Sequence, residues 1–60
     1  MELNTKEKIK KKILDIQEII KDYKNLSKEV DDMEAADLFR EYAEQCGLQA
    51  AELQKLLKKF

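Results

Sequence analysis

An apolar stripe with coiled-coil spacing runs through this chain and slips once in the middle, which limits it to folds built from helices lying side by side. Ile9, Ile13, Ile16, Ile20, Tyr23, Ser27 and Val30 follow one another at alternating steps of four and three; Ala35, Phe39, Tyr42, Cys46, Gln49, Leu53, Leu56 and Phe60 do the same. Such steps draw one seam down one side of an α-helix. Between the two runs the step from Val30 to Ala35 is five residues, whereas an unbroken seam would continue at Glu34 and Asp37. Two carboxylates cannot extend an apolar seam, so the chain reverses near residue 31. The expected fold is all-α, an antiparallel two-helix hairpin with helices over about 5–30 and 32–59. Asn4 is placed to accept from the free backbone donors of the first helix, with Glu7 three residues on; Asp31 and Glu34 stand in the same relation for the second. Val30 and Ala35 form a small hydrophobic staple across that start. The hairpin register pairs Val30 with Ala35, Ser27 with Phe39, Tyr23 with Tyr42, Ile20 with Cys46, Ile16 with Gln49, Ile13 with Leu53 and Ile9 with Leu56.

Sixty residues make one domain, 1–60, with no proline and one glycine to mark a linker. A core this small is marginal and usually needs a disulfide, a metal or a partner chain. Cys46 is the single cysteine and there is no histidine, so oligomerisation is the expected support. A second apolar line points the same way. Ala36, Ala43, Ala50 and Leu57 repeat every seven residues beside the seam of the second helix. Ile19 and Leu26 flank the seam of the first, and Leu38 and Leu48 widen the second. Two helices alone do not cover a face this broad. The expected dimer interface comprises Ile19, Leu26, Ala36, Leu38, Ala43, Ala50 and Leu57, joining two hairpins into a four-helix bundle. A different protein with a complementary apolar face would satisfy the same physics.

Charge suggests how the hairpins lie. Lys6, Lys8, Lys10, Lys11 and Lys12 open the first helix, and Lys55, Lys58 and Lys59 close the second, so a hairpin gathers them at its open end. Glu29, Asp31, Asp32, Glu34 and Asp37 gather at the bend. Antiparallel packing of two such rods brings unlike ends together. The overall formal charge of −1 argues against general nucleic-acid binding. No stretch approaches the ~18 apolar residues of a membrane span. A lone thiol and a polar start without a signal core point to the reducing cytoplasm.

The segment from Asp32 to Glu44, continuing through Gln49-Ala50 to Leu56-Leu57, resembles the second helix of rubrerythrin and ferritin-like domains. Ala36, Leu38, Phe39, Ala43, Glu44 and Ala50 carry the match, and the resemblance extends over about residues 13–57, one of the family's two helical hairpins. It implies a bundle fold. In that family a Glu-x-x-His pair on this helix helps hold di-iron. Here Cys46 occupies the Glu slot, Gln49 the His slot, and the Glu of the preceding helix falls near Ile13. With those positions lost, the resemblance implies a half-length relative without oxidase or peroxidase chemistry, and no metal or other cofactor is expected.

The remaining polar residues have plain structural readings. Asp15, Asp22 and Glu29 form one acidic stripe, and Asp37, Glu41 and Glu44 another; both point away from the seam and read as solvated faces with pairs such as Glu7–Lys11 and Arg40–Glu44. Cys46 reads as a small buried hydrophobe, because no base is present to activate it. Gln49 reads as a polar core contact that sets register. Gly47 stands in a helix interior, where it costs about 1 kcal/mol against alanine. No catalytic residue is identified. The expected role is a non-enzymatic structural or protein-interaction module acting as a homodimer. The competing readings are a ferritin-like metal or redox protein and a basic-ended regulator of nucleic acid or anionic surfaces.

Overall fold

A computed structural model describes residues 4–60; the sequence reading of the polar start lies, for 1–3, outside the described residues. Two helices of 25 residues each, α1 (Thr5–Glu29) and α2 (Met33–Leu57), are joined by residues 30–32. Each helix is about 37 Å long at 1.5 Å per residue. The whole molecule measures 44 × 23 × 10 Å, so α2 runs back along α1 as a flat two-helix slab. Among the described residues, no helix is long and apolar enough to cross a membrane.

The reversal needs no glycine. Val30 (φ −77°, ψ 147°) and Asp32 (φ −131°, ψ 125°) are both extended, and no described residue has a positive φ. Val30 closes α1 by donating its N–H to the Leu26 carbonyl at 3.0 Å. Asn4 caps α1 as expected, its Oδ1 accepting from the Glu7 N–H at 2.9 Å. The cap of α2 is Asp32, one residue later than the sequence suggested. Its Oδ2 accepts from the Ala35 N–H at 2.8 Å, and its carbonyl accepts from the Ala36 N–H at 2.9 Å. Asp31 stays exposed in the bend. The three-residue link, extended at Val30 and Asp32, places the second aspartate, not the first, over the free donors of α2. At the far end, with no glycine to stop it, α2 tightens. Lys58, Lys59 and Phe60 donate to the carbonyls three residues back at 3.2, 3.0 and 3.0 Å.

The core lies along the line where the helices meet. On α1 it follows the expected seam: Ile13, Ile16 and Ser27 are buried, and Ile9, Ile20, Tyr23 and Val30 half-buried. On α2 the seam is rotated. Ala36, Ala43 and Ala50 are buried, and Phe39, Cys46, Leu53 and Leu57 are half-buried between them. Tyr42, Gln49 and Leu56, expected to alternate with Phe39, Cys46 and Leu53, are exposed. The reason is volume. The α1 seam is built of isoleucines, and small residues opposite bulky ones let two helices approach closely. The alanine line therefore faces α1, and the bulkier alternate line is left outside.

Among the described residues, the one buried polar side chain, Ser27, donates its hydroxyl to the Lys24 carbonyl at 2.6 Å, and no buried side-chain polar atom lacks a partner. Near the bend, the Tyr23 ring stacks on Phe39 at 6.0 Å and tilts against Tyr42 at 5.5 Å. The expected Tyr23–Tyr42 layer is present. Phe39, paired with Ser27 in the sequence reading, also contributes to it.

Candidate interaction surface

The rotation of α2 decides what is left uncovered. On α1, Ile19 is 42% and Leu26 37% exposed; on α2, Leu38 is 44%, Tyr42 36% and Leu56 40% exposed. These five lie on one face of the slab. A groove of ≈ 570 Å³ near the open end is lined by Lys12 and Ile16 of α1 and by Gln49, Glu52, Leu53 and Leu56 of α2. It fixes which flanks of the two helices meet on that side. Ile19 and Leu26 follow Lys12 at steps of seven along α1, and Tyr42 precedes Gln49 and Leu56 at steps of seven along α2. Residues seven apart share a helix face, so both rows border the groove side. Leu38, one turn before Tyr42, extends the row to the bend.

The predicted interface residues therefore divide. Ile19, Leu26 and Leu38 lie on the open face. Ala36, Ala43 and Ala50 do not: they are consumed within the hairpin, and Leu57 is half-buried in the same seam. Tyr42 and Leu56 take their place outside. Gln49, expected as a polar core residue, is exposed and forms part of the groove wall. The sequence did contain a signal for this exchange. Ala36, Ala43, Ala50 and Leu57 share the phase of Phe39, Cys46 and Leu53, and that phase is the one with small residues. Leu14, Leu48, Met33 and Phe60 are exposed elsewhere; single apolar residues on a surface are ordinary.

Local ion pairs also differ from expectation. Glu7 meets Lys10 at 3.8 Å rather than Lys11, and Arg40 pairs with Asp37 rather than Glu44. Asp15 draws Lys11 to 3.4 Å and Lys12 to 3.6 Å. All are exposed contacts within one helix, worth a few tenths of a kcal/mol. The larger electrostatic feature is polar. Residues 5–16 and 47–60 carry eight lysines and three carboxylates, whereas 17–46 carry nine carboxylates and four basic residues.

Chemistry-bearing groups do not converge. Cys46 is free and half-buried in the seam, and Gln49 is exposed on the neighbouring face. Ile13, the third position of the ferritin-like comparison, is buried. No group of three or more metal-binding side chains occurs among the described residues. Comparison with known proteins finds no matching family model, curated protein or solved structure.

Proposed function

We propose that this chain is a non-enzymatic interaction module that completes its core by packing the open face onto the same face of a second copy, forming a four-helix bundle. The observation that carries this reading is surface area. A compact monomer of 7.1 kDa would expose about 4,100 Å² by the size relation for folded proteins. The hairpin exposes 5095 Å². The excess of about 1,000 Å² is close to the roughly 800 Å² that each partner hides in a standard interface.

The interior supports the same reading. Among the described residues, only two isoleucines and three alanines are buried apolar residues, and no side chain is fully enclosed. Face-to-face packing would enclose Ile19, Leu26, Leu38, Tyr42 and Leu56 and turn two thin layers into one core. Helices in such bundles cross at about 20°. Multi-angle light scattering at tens of micromolar tests the proposal. A mass near twice 7.1 kDa is expected, falling towards the monomer for Leu38→Glu. A wild-type monomer across that range contradicts it.

A further inference from the structure

We infer that the groove at the open end is filled by the bend end of a second copy lying head to tail, whose Leu26 and Leu38 enter it. This inference rests on the dimer proposed above and specifies its geometry.

Position along the rod is the first argument. The midpoint of α2 is Gln45; Leu38 lies seven residues before it, and the α2 wall of the groove, Gln49 to Leu56, lies four to eleven residues after it. At 1.5 Å per residue, knob and groove are thus each displaced by roughly 10 Å from the centre, in opposite directions. A two-fold axis lying in the interface, perpendicular to the rods at mid-length, carries one onto the other. The same axis passes near Ile19 and Tyr42, which then meet their own copies, as an isologous contact requires. In a parallel pair the leucines would meet leucines, and both grooves would stay open.

Charge is the second argument. The half of the rod holding the groove carries five more positive than negative charges, and the half holding Leu26 and Leu38 carries five more negative than positive. Head-to-tail packing sets these halves against each other; parallel packing opposes like halves. Unlike-charge juxtaposition steers orientation even where single exposed pairs add little.

Spin-label distances test the arrangement on the full chain. In a Cys46→Ala background, labels are attached at Lys28→Cys, near the bend, or at Lys10→Cys, near the open end; both lysines are exposed. Head-to-tail packing predicts that the mixed Lys28/Lys10 intermolecular distance is shorter than the Lys28/Lys28 distance. The opposite order overturns the arrangement and leaves the homodimer standing. Absence of any intermolecular distance, with monomeric mass, overturns both. Leu26→Ala with Leu38→Ala is expected to weaken dimerisation at least about tenfold, whereas Leu14→Ala, away from the groove, leaves it unchanged. Equal effects from the two variants count against the knob assignment.

Discussion

Tyr42 and Ala43 are adjacent in the chain and have opposite surroundings. Ala43 is 6% exposed in the line where the helices meet, and Tyr42 is on the open face. Its methyl group marks how close the backbones come, so a larger side chain there has nowhere to go. Ala43→Leu is expected to destabilise the hairpin by about 1–3 kcal/mol through overpacking, read as a lower urea midpoint. An unchanged midpoint would mean that the alanines do not form the seam. Gly47 behaves differently. A Cβ built on it meets nothing within 4 Å, so the hairpin itself does not use the missing side chain for close approach. Gly47→Ala is expected to raise stability by about 0.5–1 kcal/mol by removing unfolded-state freedom. A loss of stability in thermal unfolding would show that Gly47 is needed for a contact outside the hairpin.

At the scale of the helix, the caps and the interhelical phase determine the architecture. Asp32 satisfies a free donor at the start of α2 and Asp31 does not. Asp32→Ala should therefore cost about 1 kcal/mol, and Asp31→Ala much less, as compared by urea titration; equal costs would contradict the assigned cap. Both helices, the reversal and the α1 seam were legible in the sequence because they rest on periodicity and on one break in it. The side of α2 that faces α1 was harder to read. Two overlapping heptad lines, one through Tyr42, Gln49 and Leu56 and one through Ala43, Ala50 and Leu57, both satisfy the apolar pattern when each is combined with Phe39, Cys46 and Leu53. Hydrophobicity favours neither line; the volume of the facing isoleucines does. The same degeneracy explains the candidate surface. Ile19, Leu26 and Leu38 flank either phase and are exposed in both, while Tyr42, Leu56 and Gln49 lie outside because of the rotation. The sequence favours Asp31 over Asp32 because Glu34 follows it at the capping-box spacing, whereas the extended backbone at residue 32 makes Asp32 the cap.

At the scale of the molecule, a slab 10 Å thick by its Cα atoms has two broad faces and almost no interior. One face carries a groove and five partly exposed large apolar side chains, and the rod is charged oppositely at its two ends. On this account, folding and association are a single equilibrium, and stability depends on how many copies are present. The most direct measurement is thermal unfolding followed by circular dichroism at concentrations spanning about a hundredfold, which changes the association term by roughly 2.7 kcal/mol. The account predicts a midpoint that climbs by several degrees with concentration. A midpoint independent of concentration, with a mass of 7.1 kDa throughout, would show that a lone hairpin is stable by itself and would contradict it.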